Sequence, residues 1–149
     1  NRSIPPLDYD RARRLAARRG DLSIILHGGL ETADQASEDM RGCDGIMIGR
    51  AAYRTPYALA EMAQQIFGTT LPQRYEVAQA MAEYANSMTK TGVPLHSITR
   101  HMLGLYAGQS GAKYWRRQLG EMARNADDAG NFITDTASFC ENLAAKHAA

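Results

Sequence analysis

Two short apolar runs, each ending in glycine, most strongly limit what this chain can fold into. They are "LSIILHGG" at residues 22–29 and "GIMIG" at residues 45–49. Both are continuous rather than alternating, which is typical of a strand covered on both faces. Helical patterns precede, separate and follow the two runs, and this order predicts a parallel sheet with right-handed crossovers.

The helical segments around the two runs carry start and stop signals. Residues 7–20 place Tyr9 and Leu15 on one stripe among arginines and end at Gly20, as an amphipathic helix does. Thr32 and Gln35 have the spacing of a capping box at the start of the next helix. A third helix begins near Ala51, which completes a helix, strand, helix, strand, helix order.

No strand pattern follows the Gly, Thr and Pro residues near position 70. We expect instead a small helical bundle, with helices from Arg74, over Ser97 to Tyr106, from Ala112 and from about Thr134 to His147. The chain thus divides into an α/β part and an all-α part. We place the boundary between the two parts after residue 68, so that they comprise residues 1–68 and 69–149.

Composition excludes several classes of protein. The 149 residues are 44% hydrophobic, enough for one good core or two small ones. Cys43 and Cys140 are too few for a disulfide framework and show no metal-ligand spacing, so we expect no metal and a reducing, cytoplasmic compartment. No run approaches the roughly 20 apolar residues that cross a bilayer. The first residue is not methionine, and we expect a fragment.

The ends of the two strands carry the chemistry of an anion site. "HGG" at 27–29 ends one strand, Gly49 and Arg50 end the next, and parallel strands bring both turns to one edge of the sheet. Glycine lets backbone N–H groups approach an anion, a following helix adds its positive end, and Arg50 adds a cation. Two such turns in succession favour a phosphate site over plain turn chemistry and a solvated arginine.

The helical part carries a long stretch of one charge sign. No acidic residue occurs between Glu83 and Glu121, although the 17 basic and 16 acidic residues of the chain nearly cancel. The cations there are Lys90, Arg100, Lys113, Arg116 and Arg117. The last three share one helix face by spacing, with Trp115, Leu119 and Met122 expected on the opposite, packed face. A solvated face normally mixes signs, so this one predicts RNA binding.

Four segments together resemble one enzyme family. They are "NRSIPPLDYD", "ILHGGL", "DGIMIGRAAYRTPY" and "SITRHMLGLYAGQSGAKYWRRQL". They resemble the carboxyl-terminal half of the tRNA-dihydrouridine synthases, specifically subfamily A. The resemblance implies that residues 1–68 are the last two βα units of a TIM (βα)8 barrel that carries FMN, and that 69–149 are a helical tRNA-binding domain. It also implies NADPH as the reductant and a D-loop uridine of tRNA as the substrate.

The resemblance also implies roles for individual residues. His27, Gly28, Gly29, Gly49 and Arg50 would hold the FMN phosphate, although the family usually has Asn-Gly-Gly where this chain has His-Gly-Gly.

The resemblance further implies that several basic residues contact tRNA. Lys113, which stands where the family more often has arginine, and Arg116 match such positions, and so does Arg2 in a barrel loop. Arg100 and Arg117 join them from the one-signed stretch.

The family's proton donor is absent. It is a cysteine in an Asn-Cys-Pro stretch, and neither Cys43 nor Cys140 has that context, so both are interpreted as small fillers. We therefore expect no catalytic residue here, no activity of this chain alone, and an upstream barrel half as its partner. A two-stranded sheet without that half is expected to self-associate or to leave the βα part poorly ordered. The alternative is a non-catalytic RNA-binding module with a remnant βα scaffold.

Overall fold

The computed structural model describes residues 6–148, which divide into two compact units. The βα unit comprises the described residues up to Ala52 together with Ala58–Thr70. The helical unit comprises Tyr53–Tyr57 and the residues from Leu71 onward.

The βα unit has the predicted order of elements. Its helices and strands are α1 Tyr9–Arg18, β1 Ile25–His27, α2 Ala33–Asp39, β2 Gly45–Met47, α3 Arg50–Arg54 and α4 Tyr57–Phe67, of which α3 and α4 also contribute residues to the helical unit. The two strands pair in parallel, with Leu26 opposite Ile46 and His27 opposite Met47. The predicted parallel pair is confirmed.

Local hydrogen bonds explain where the helices of the βα unit begin. The Asp8 carboxylate accepts from the amide of Arg11 at 2.9 Å and caps α1. Thr32 and Gln35 form the predicted capping box, with Thr32 accepting from the Gln35 amide and the Gln35 side chain accepting from the Thr32 amide. Such caps satisfy amides that have no partner within the helix.

The strands are shorter and more exposed than the sequence predicts. Each has three residues, and only the face with Leu26 is covered, since Leu26 is 3% exposed whereas Ile25 is 53% and Met47 47% exposed. Alternate side chains of a strand point to opposite faces. Because the described residues leave the face with Ile25 and Met47 open, the expectation of two covered faces is wrong for this part of the chain.

The helical unit packs around two long helices. Its further elements are α5 Arg74–Lys90, α6 Leu95–Thr99, α7 Ala112–Arg117, a π-helix Gln118–Met122, a 3₁₀-helix Ala123–Asn125 and α8 Ala129–Ala148. Mostly small side chains are buried on α5 and α8, which pack against each other. The buried residues there include Ala78, Ala82, Ala85, Ile133, Ala137 and Cys140.

Two helix boundaries differ from the predicted ones. The helix expected over Ser97 to Tyr106 spans only Leu95–Thr99, and tight turns with hydrogen bonds to the third residue back follow it. The last helix begins at Ala129 rather than near Thr134, because the Asp128 carboxylate accepts from the amide of Asn131 at 2.7 Å and caps it. The predicted starts at Arg74 and Ala112 are confirmed.

Trp115 is the centre of the helical core. It is fully buried, its ring lies 4.8 Å from that of Tyr106, and its indole N–H donates to the carbonyl of Met102 at 2.8 Å. The prediction that Trp115 belongs to the core is therefore confirmed. The buried Thr99 hydroxyl donates to the carbonyl of Leu119, within the π-helix, at 2.8 Å.

Candidate functional site

Five residues predicted to bind a phosphate line one cavity of the βα unit. The cavity has a volume of about 360 Å³ and lies at the carboxyl ends of both strands. Its walls include His27, Gly28, Gly29, Gly49 and Arg50, together with Leu30, Glu31, Met47 and Ala51. Because His27 and Met47 are paired in register, the residues that follow each strand are brought side by side.

The Gly28-Gly29 turn needs glycine at both positions. Their φ angles are +115° and +66°, in the left-handed region that side chains rarely adopt. A Cβ on Gly29 would also lie 2.7 Å from the Leu7 side chain and 3.0 Å from the Tyr9 hydroxyl. The turn thus presents bare backbone to the cavity while its other side packs against Leu7 and Tyr9.

Tyr9 supports this turn and was missed as a site residue by the sequence analysis. Its hydroxyl donates to the Gly28 carbonyl at 2.6 Å. Burial, and then the nearby Asp39 carboxylate, raise the pKa of Tyr9, so the phenol keeps the proton that it donates. The helical stripe placed Tyr9 on the inner side of α1, but nothing local in the sequence pointed to its partner.

His27 is exposed at the end of β1. Its Nδ1 lies 3.2 Å from the carbonyl of Met47. Since a carbonyl only accepts, this hydrogen bond requires the proton on Nδ1. The ring orientation is thereby tied to the neighbouring strand.

Arg50 supplies the positive charge of the cavity. Among the residues that the structure describes, no carboxylate forms an ion pair with it, and none accepts from the amides of Gly28, Gly29 or Gly49. Glu31 also lines the cavity and would repel an anion bound near it. An anion with several oxygens, such as a phosphate monoester, fits the side formed by the glycine turn and Arg50.

Three predicted RNA-contacting residues lie exposed on or beside one short helix. Lys113, Arg116 and Arg117 extend from α7, on which Trp115 alone is buried. The Arg117 guanidinium lies 3.7 Å from the Glu121 carboxylate, and both side chains are about 70% exposed. That pair contributes little to stability but partly offsets the charge of Arg117.

Met122 does not pack opposite these cations as expected. It is 42% exposed, whereas Leu119 is buried. The wider turns of the π-helix over Gln118–Met122 displace the residues that follow from the α-helical stripe of Trp115 and Leu119.

Arg100 is exposed at the end of α6. Its Nε donates to Nε2 of His101 at 3.0 Å. Arg2, the remaining predicted contact, lies outside the described residues.

Both cysteines lack the features of a proton donor in a cleft. Cys140 is fully buried on α8, and its thiol lies 3.6 Å from the Gly111 carbonyl. Burial, with a smaller effect of Glu141, raises the pKa of Cys140 to about 11. Cys43 is partly buried, and neither cysteine lines the cavity around Arg50.

We predict that the Cys140 thiol resists alkylation in the folded protein. At pH 8 a thiol with a pKa near 11 is protonated, and burial blocks the reagent, so iodoacetamide should leave Cys140 unmodified while Cys43 reacts. Mass spectrometry of the peptides measures this, and unfolding in guanidinium chloride should make both react. Equal labelling of the two in the native protein would contradict the buried position.

The described range, residues 6–148, contains neither a metal-ligand cluster nor a membrane-spanning helix. Within that range no group of His, Cys, Asp and Glu side chains could hold a metal ion. The helices in the same range are too short or too polar to span a bilayer.

Fold and site together define an α/β unit with an anion-sized cavity at the carboxyl edge of its parallel strands, joined in sequence to a helical unit with an exposed basic helix. The chain belongs to the dihydrouridine synthase (Dus) family, whose model matches residues 1–143. The resemblance seen in the four sequence segments is thus confirmed.

Individual relatives agree with the family match. The chain is 42% identical over 137 residues to a tRNA-dihydrouridine(20/20a) synthase of Vibrio parahaemolyticus, covering 91% of this chain and 42% of that protein. It is 38% identical over 143 residues to the protein of that name from Pseudomonas syringae pv. tomato, covering 95% and 43%. A Salmonella typhi relative is 43% identical over 128 residues, covering 85% and 39%. The chain therefore spans about two fifths of these relatives.

Proposed function

We propose that this chain is the carboxyl-terminal portion of a flavin-dependent tRNA-dihydrouridine synthase. The observation that carries the proposal is the identity of 42% over 137 residues to a tRNA-dihydrouridine(20/20a) synthase. The substrate would accordingly be D-loop uridine at positions 20 and 20a of tRNA, the positions in the name of that relative. When bound, FMN that NADPH has reduced supplies the hydride that converts uridine to dihydrouridine.

The cavity of the βα unit would hold the FMN phosphate. The Gly28-Gly29 turn and Gly49 offer backbone without a Cβ, and Arg50 offers a guanidinium that no described carboxylate neutralises. His27 would contribute through its backbone and through the ring position that the Met47 carbonyl fixes. Tyr9 would act indirectly, by holding the Gly28 carbonyl away from the anion.

The helical unit would bind tRNA through its exposed cations. These are Arg100, Lys113, Arg116 and Arg117, with Arg2 added from the resemblance. Each phosphate that they neutralise releases counterions, so binding should weaken as salt rises. Lys113 and Arg116 are proposed as the main contacts, because Arg117 shares its charge with Glu121.

The remaining chemistry would come from the rest of the protein. A proton must reach the uracil carbon that does not receive the hydride, and neither Cys43 nor the buried Cys140 is placed to supply it. The division into a βα part at 1–68 and a tRNA-binding part at 69–149 follows from this proposal, as does a cytoplasmic location, where tRNA is modified. Without an upstream barrel half, the open face with Ile25 and Met47 would favour self-association.

The test is the activity of the complete protein that contains this chain. We expect the purified protein to show flavin absorbance, and, with NADPH and unmodified tRNA, to add two hydrogen atoms to a D-loop uridine. Mass spectrometry of nuclease fragments locates the modified position. Binding of tRNA without flavin and without reduction would favour the RNA-binding module instead.

A further inference from the structure

An exposed aromatic pair lies at the end of α6 in the helical unit. The Tyr53 side chain is 61% exposed, and its ring packs edge to face on that of His101, with 5.6 Å between centroids and 79° between planes. Arg100 donates to Nε2 of His101 at 3.0 Å. Because arginine only donates, His101 must accept through Nε2 and carry its proton on Nδ1. The imidazole is therefore held by Tyr53 on one side and by Arg100 on the other.

The backbone beneath this pair is fixed by the core. A Cβ on Gly104 would overlap the carbonyl oxygen of Arg54, so the residue after Tyr53 packs directly on the turn that follows His101. Met102, the residue directly after His101, is buried, and its carbonyl accepts from the indole of Trp115. The backbone that carries the two rings is thus packed against the core of the helical unit.

Tyr53 differs from two other tyrosines of this unit. Tyr57 and Tyr106 are buried, and their hydroxyls donate to the Pro72 carbonyl and the Glu141 carboxylate. In the described part of the chain the Tyr53 hydroxyl has no hydrogen-bond partner, and its ring contributes little to the core. An exposed ring with no structural partner other than His101 is available to a ligand.

The charge around the rings selects the kind of ligand. Arg54 directly follows Tyr53 in sequence and Arg100 directly precedes His101; both arginines are exposed, and neither forms an ion pair with a described carboxylate. His101 itself lies in the stretch between Glu83 and Glu121 that contains no acidic residue. Flat rings flanked by arginines suit unpaired nucleotides, whose bases stack on aromatic faces while their phosphates meet cations.

We propose that Tyr53 and His101 form a stacking platform for unpaired bases of tRNA, with Arg54 and Arg100 contacting the adjoining phosphates. The proposal rests on the proposed function, because it takes tRNA as the bound RNA, and it adds recognition by stacking to recognition by charge. A base-paired stem cannot offer the face of a base, so the platform would bind a loop or the 3′ end.

The decisive variants test the ring of Tyr53 separately from its hydroxyl and from the charge of Arg100. In the complete protein, Tyr53→Leu should weaken tRNA binding roughly 5- to 150-fold, the range expected for one lost base stack. The slope of log affinity against log salt should not change, since no phosphate contact is lost. Tyr53→Phe, the matched control, should bind like the wild type. Arg100→Gln should lower that slope by about 1.

Affinity is measured by fluorescence anisotropy with labelled tRNA over a salt series, and flavin absorbance and circular dichroism check that each variant is folded. Wild-type affinity in Tyr53→Leu, or an equal loss in Tyr53→Phe, would overturn the platform. Ultraviolet crosslinking of the wild-type protein needs no variant: a tRNA crosslink in the peptide containing Tyr53 or His101 supports the proposal, and crosslinks only elsewhere overturn it. A wild-type protein that binds no tRNA would instead refute the proposed function.

Discussion

Replacing Arg50 with alanine should lower the affinity of the complete protein for FMN by roughly 10- to 100-fold. A hydrogen bond to a charged group contributes about 1.5–3 kcal/mol, and the Arg50 guanidinium is the one cation among the residues that line the described cavity. Flavin absorbance after gel filtration, followed by titration of the apoprotein with FMN, measures the loss. The affinity of Arg50→Lys for FMN should fall between those of the wild type and Arg50→Ala, because lysine keeps the charge but not the fork of donors.

The matched control is Arg41→Ala in the same unit. Arg41 pairs with Glu38 at 3.0 Å, both side chains are 72% exposed, and Arg41 does not line the cavity, so its loss should leave flavin content unchanged. If Arg50→Ala retained FMN as tightly as the wild type, Arg50 would not bind the phosphate. If the two variants lost flavin equally, the effect of Arg50→Ala would be a general one of surface charge.

Reversing two charges on α7 should have an effect of similar size on the binding of tRNA by the complete protein. The double variant Lys113→Glu with Arg116→Glu should bind tRNA on the order of 100-fold more weakly near 0.1 M salt, because two phosphate contacts are lost and two repulsions are added. The slope of log affinity against log salt should become shallower by about 2, because two phosphate contacts are lost. Flavin content should not change, since neither residue lines the cavity in the βα unit.

Lys146→Glu is the control for the single variant Lys113→Glu. Both lysines are exposed in the helical unit and both changes alter the net charge equally, but Lys146 lies on α8, outside the acid-free stretch. Similar losses of tRNA affinity in these two single variants would mean that net charge, not the α7 surface, drives binding. Loss of flavin together with tRNA affinity would show that the double variant disturbs the fold.

The features predicted correctly from the sequence depend on nearby residues. The capping box needs only Thr32 and Gln35, which lie within one turn. The meeting of the two glycine turns follows from a parallel register that two apolar runs and one intervening helix already imply. Trp115 was assigned to the core because large aromatic residues on the apolar side of a helix are usually buried.

The features that were missed depend on residues distant in sequence or on covering surfaces. Tyr9 meets Gly28, and Tyr53 meets His101, across intervals in which no periodicity connects them. The exposure of Ile25 and Met47 depends on what lies on the open face, which a strand pattern does not encode. By contrast, the Asp128 cap had a local signal, since an aspartate directly before an apolar-periodic segment marks a helix start.

The π-helix at Gln118–Met122 sets the angular position of the 3₁₀ turn Ala123–Asn125 that follows it. A π turn accommodates an additional residue within a helix, so the segment with Arg124 faces a different direction from the one that uninterrupted α-helical winding would give. The bond from Thr99 to Leu119 anchors this wide turn to α6. A homologue that lost a single amino acid there would keep its tryptophan in place and turn the side chains just after the π-helix toward another side of the unit.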